Sequence, residues 1–152
     1  MSLENKIKSF LKFEIIWKDE HIFEVRINAS NAKFIGETEV YDTSESLSEF
    51  ANKLLDFPKN GKVIFYELGK KDSYAYCSIR FYCIDNIGHI GVEINIEENV
   101  STEYRLEEKS KVKMEIQVEP NAIDNFQKSL LNIAKIQEGK AILYGRDNRL
   151  ND

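Results

Sequence analysis

The chain has 152 residues, 42% hydrophobic and 31% charged, with 2 Pro, 7 Gly and a formal charge of −5. Its length predicts one domain that buries about two-thirds of its extended surface without disulfides or a structural metal, and its composition excludes collagen-like and linker-like chains. The acidic balance opposes nonspecific adhesion to nucleic acid or an anionic bilayer, so neither is an expected partner, and no apolar run approaches the ~20 residues of a membrane-spanning helix.

The opening residues, MSLENKIKSFLKFEIIW, place charges where a secretory apolar core would sit, and a cytoplasmic location follows as the expectation. Period-two alternation then sets Leu11, Phe13, Ile15 and Trp17 on one inward face. A polar turn over residues 18–21 reverses the chain, and Phe23, Val25 and Ile27 resume the pattern as the second arm of a hairpin. A third strand sets Phe34, Gly36, Thr38 and Val40 against Ile35, Glu37, Glu39 and Tyr41.

At Asp42 the period changes. Leu47, Phe50, Ala51, Leu54 and Leu55 form one helical stripe, capped by Asp42 in a capping-box-like arrangement with Glu45, or by Ser44, and stopped by Phe57-Pro58. The expected helix spans residues 43–57. Residues 62–68 form a fourth strand. Ala75, Cys77, Ile79, Phe81 and Cys83 then face one way, and Tyr74, Tyr76, Ser78, Arg80 and Tyr82 the other. Ile90, Val92, Ile94 and Ile96 complete a hairpin across a turn at residues 85–88. An acidic connection leads to a strand with Val112, Met114, Ile116 and Val118 inward, and Pro120 ends it.

A second helix over residues 122–137 carries Ile123, Phe126, Leu130 and Ile133, with Asn121 as its expected cap, and residues 141–144 form a last strand. The pattern is α+β: a mostly antiparallel sheet of about seven or eight strands with two substantial helices, in one domain over residues 1–145. Residues 146–152 have no period and are expected to fray.

Chemistry-bearing motifs do not emerge from this pattern. His21 and His89 belong to neither a C-x-x-C nor an H-E-x-x-H spacing, and the glycines match no phosphate-binding loop, so no metal, cofactor or catalytic residue is assigned. Cys77 and Cys83 lie at even spacing, about 20 Å apart on a straight strand, and read as reduced, inward-facing packing residues.

Binding is the better-supported reading. Tyr74, Tyr76, Arg80 and Tyr82 combine aromatic area, hydroxyls and a forked donor, a composition enriched at interaction hot spots, unless a helix covers that face. Residues 87–124 hold nine acidic and four basic side chains, a local charge equal to that of the whole chain. Glu103, Glu107 and Glu108 in the acidic connection are the expected steering groups for a basic partner.

Phe34-Ile-Gly-Glu-Thr-Glu-Val-Tyr41, Leu47-Ser-Glu-Phe50, Leu54-Leu-Asp-Phe-Pro58 and Asp85-Asn-Ile-Gly-His89 together resemble the WapI-like bacterial immunity proteins, across about residues 11–145. The resemblance implies a cytoplasmic, non-enzymatic antidote that binds a cognate toxin domain, such as a basic nuclease, with no catalytic residue to carry over. A small ligand-binding or regulatory module is the alternative, and an enzyme acting through paired carboxylates a weaker one. A deep pocket with convergent polar groups would favour either of these, and a shallow aromatic patch rimmed by carboxylates would favour toxin binding.

Overall fold

The computed structural model describes residues 8–59, 63–99 and 109–146. Its elements run β1 (Ser9–Lys18), β2 (Phe23–Asn31), β3 (Ile35–Asp42), α1 (Ser44–Leu55), β4 (Val63–Gly69), β5 (Ala75–Cys83), β6 (Ile90–Asn99), β7 (Lys109–Val118), α2 (Pro120–Ile136) and β8 (Gly139–Tyr144). Eight strands and two helices make the α+β class expected from the periodicity. The strands divide into two antiparallel sheets of four, ordered β3-β2-β1-β8 and β4-β5-β6-β7.

This division follows a repeat. Each three-strand meander, β1-β2-β3 or β5-β6-β7, leads into a helix and then into a strand that joins the edge of the other sheet: β4 pairs with β5, and β8 with β1. Inward positions correspond between the halves. Ile15, Val25 and Val40 lie in one cross-strand row, and Phe81, Val92 and Ile116 in its counterpart. Leu47, Phe50 and Leu54 occupy the same turns of α1 that Ile123, Phe126 and Leu130 occupy in α2.

The two inner faces meet where β3 crosses the second sheet. Gly36 lies there because a Cβ at this position would stand 2.5 Å from Val112 Cγ1 and 3.2 Å from Ile96 Cδ1. Burying such apolar side chains is worth about 1.5–3 kcal/mol each before the entropy of ordering them is subtracted. On the side of β4 and β8, α1 and α2 pack on each other and complete the core. Phe50 stacks on Tyr66 with ring centres 4.4 Å apart, and Phe126 meets Phe13 edge to face at 5.9 Å.

Local details depart from the sequence expectations for identifiable reasons. Thr43, rather than Asp42 or Ser44, caps α1, its Oγ1 accepting from the Ser46 amide at 3.1 Å, while Asp42 accepts from Thr43 N. α2 starts two residues earlier than a cap at Asn121 would allow, because Pro120 is pre-set for the first helical residue and Glu119 takes the cap position. Phe34 is exposed ahead of β3 instead of joining its inward set. The largest departure is in β1. Its pairing with β2 shifts between Ile15 and Trp17, a bulge that inserts one residue, so Trp17 lies opposite Glu24 on the outer face and not with Phe13 in the core. Arg146 is tied down through its amide to Gln117 O and its guanidinium near Glu119, and residues 147–152 lie outside the described residues.

Candidate interaction surface

Tyr76, Arg80 and Tyr82 alternate along β5 and project from the outer face of the second sheet. The helices' principal packing is with each other, β8 and β4, so among the described residues no helix covers this face. Carboxylates on the other three strands of the sheet satisfy its polar tips. Tyr76 is only 4% exposed and donates its hydroxyl to Glu67 at 2.5 Å. Arg80 bonds Glu93 on β6 at 3.2 Å, and its guanidinium carbon sits 4.6 Å from the centre of the Tyr82 ring. Tyr82 reaches across Gly91 to donate to Glu115 on β7; a Cβ on Gly91 would come within 2.6 Å of that ring, so glycine makes the crossing possible.

These contacts set the electrostatics. Burial, followed by the bond to Glu67, pushes the Tyr76 hydroxyl up to about 12, and burial with Glu115 beside it raises Tyr82 as well. Burial alone would raise the Glu93 carboxyl, but Arg80 and Lys113 outweigh it and hold that carboxyl below its ordinary range. Lys111 pairs with Asp72 at 2.8 Å and approaches Glu97 at 3.7 Å. Cations therefore offset carboxylates across this face. What it offers a partner is the Tyr82 and Arg80 stack together with Phe65 and Val63, two outward residues of β4 about half exposed that alternation alone did not single out.

Tyr74 does not share this face. It precedes β5, is 71% exposed, and stands across a groove from Tyr41 at the edge of the first sheet. Glu103, Glu107 and Glu108 lie outside the described residues. The first sheet adds an acidic and aromatic row of its own, in which Trp17, Glu24 and Tyr41 are cross-strand neighbours. The bulge concealed that row, because uninterrupted alternation assigns Trp17 to the core.

The cysteines divide. Cys77 is buried, and burial pushes its thiol well above the ordinary range; Cys83, expected inward, is exposed because β5 ends there. Among the described residues, no group of three or more His, Cys, Asp or Glu side chains is placed to hold a metal ion, and no helix is long and apolar enough to cross a membrane. Neither a protein-family model, nor a curated protein, nor a solved structure matches the chain.

Proposed function

We propose that the chain binds and neutralises a cognate toxin domain, such as a basic nuclease, using the outer face of the second sheet as its docking platform. The observation that supports this reading is the stack of Arg80 on Tyr82, with both polar ends already held by carboxylates of β6 and β7. Side chains fixed before contact lose little rotamer freedom on binding, and an aromatic-arginine pair is the composition that dominates interface energetics. Exposed Phe65 and Val63 extend the same face with apolar area. The resemblance to WapI-like immunity proteins points to the same function, and the chain's net negative charge suits a basic partner.

The test is affinity capture with the products of neighbouring genes, followed by inhibition of the purified toxin. Tyr82→Ala and Phe65→Ala are expected to speed dissociation, whereas reversing Glu103, Glu107 and Glu108 slows association and weakens its salt dependence. A neutralising complex indifferent to all of these changes removes this face from the proposal. Absence of binding to any neighbouring toxin removes the function itself.

A further inference from the structure

The outer face of the first sheet carries a second constellation, separate from Arg80 and Tyr82. The β1 bulge turns Trp17 outward beside Glu24, and Glu24 lies opposite Tyr41 on β3. The Trp17 and Tyr41 rings meet edge to face, 6.3 Å between centres. Across a groove of about 470 Å³ stands Tyr74, with Ser73 and Glu39 also lining it. The three rings are 47%, 57% and 71% exposed for Trp17, Tyr41 and Tyr74, a concentration of open aromatic surface at one place.

The two carboxylates differ in what already holds them. No cation among the described residues pairs with Glu24, whereas Glu39 is already paired with Arg26, both 2.8 Å contacts falling on its Oε2. Aromatic faces carry negative quadrupole potential, so rings and carboxylates around one groove attract the same kind of ligand, a cation with a flat or apolar body. We propose that this groove receives an arginine side chain of a basic protein partner. A guanidinium can lie on the Tyr41 or Tyr74 ring while its N–H fork reaches Glu24 and Glu39, a combination that a compact, strongly hydrated ammonium does not match. The inference rests on the reading of the chain as a binder of a basic protein, and it gives that partner a contact on the other sheet.

Trp17 is the only tryptophan and its ring meets that of Tyr41, which lines the groove, so its emission reports on the groove through that contact. Titrating the full chain with an acetylated Arg-Gly-Arg amide is expected to change that emission saturably. The same peptide with citrulline in place of arginine keeps the shape without the charge and leaves the emission unchanged. Glu24→Gln and Tyr74→Ala, both outside the hydrophobic core, each weaken binding about 3- to 10-fold. An equal response to the citrulline peptide, undiminished affinity in both variants, or equally tight binding of a Lys-Gly-Lys amide overturns the assignment. Toxin inhibition is read separately. Inhibition with unchanged affinity in the Glu24→Gln and Tyr74→Ala variants rejects the groove and leaves the immunity reading standing; arginine binding without inhibition of any neighbouring toxin does the reverse.

Discussion

Asp42 and Tyr66 share a hydrogen bond in half-buried ground at the start of α1. Burial raises the Asp42 carboxyl above its ordinary range, more than the Tyr66 hydroxyl and the Thr43 amide lower it. Tyr66→Phe keeps a ring to stack on Phe50 but takes away the donor, so the carboxylate is left less satisfied. A loss of about 1–3 kcal/mol is expected at neutral pH. The sign with pH follows from the direction of the shift. With its folded pKa above the unfolded one, Asp42 takes up a proton in the native state first, so its unfavourable contribution fades as pH falls through the folded value. In the variant that pKa is higher still, and the deficit therefore shrinks on acidification; urea unfolding at a series of pH values checks this, and a constant deficit contradicts it. The cysteines give a second residue-scale test. Iodoacetamide should label Cys83 in the native chain and Cys77 only after unfolding, as mass spectrometry would show. Sequence spacing placed both thiols on one strand face, but where the covering layer ends along β5 is a tertiary fact that no spacing encodes.

Within elements, what could be read from the chain was what a local period records. The stripes at Leu47, Phe50 and Leu54 and at Ile123, Phe126 and Leu130 mark α1 and α2 because each buried face repeats with the helix. The β5–β6 hairpin was equally readable, since Ile79 faces Ile94 and Phe81 faces Val92 in an unbroken register. β1 was not, because one inserted residue reverses every later side chain, and Ile15-Ile16-Trp17 is apolar at all three positions and offers no mark of where the phase changes. Steady-state quenching tests that element directly. Acrylamide should reach Trp17 freely in the native protein, whereas continuous alternation would bury the indole in the core and protect it. The polar ladder on β5 was half readable: outward Tyr76, Arg80 and Tyr82 follow from period two, but their partners Glu67, Glu93 and Glu115 depend on strand order.

For the molecule as a whole, alternation says that a residue faces a core without saying which sheet carries it, so a single sheet of seven or eight strands and two sheets of four are equivalent readings. What separates them is the pair of crossings, from β3 through α1 to β4 and from β7 through α2 to β8. Ser9 O accepts from Gly145 N at 2.9 Å, and Phe10 lies opposite Tyr144, so the last strand finishes beside the first. The order of elements is consequently a ring, in which the β4–β5 turn and the β8–β1 junction are equivalent seams. A circular permutant joined by a short linker between Arg146 and Lys8, and opened between Lys70 and Lys71, would read β5-β6-β7-α2-β8-β1-β2-β3-α1-β4 and repeat the same succession. It is expected to fold to the parent's circular dichroism spectrum with one cooperative transition, because opening an exposed seam breaks neither sheet. The same permutation opened inside β1 or β5 would sever a strand flanked on both sides and should not fold. Which residue comes first is, for this architecture, a matter of where the ring is cut.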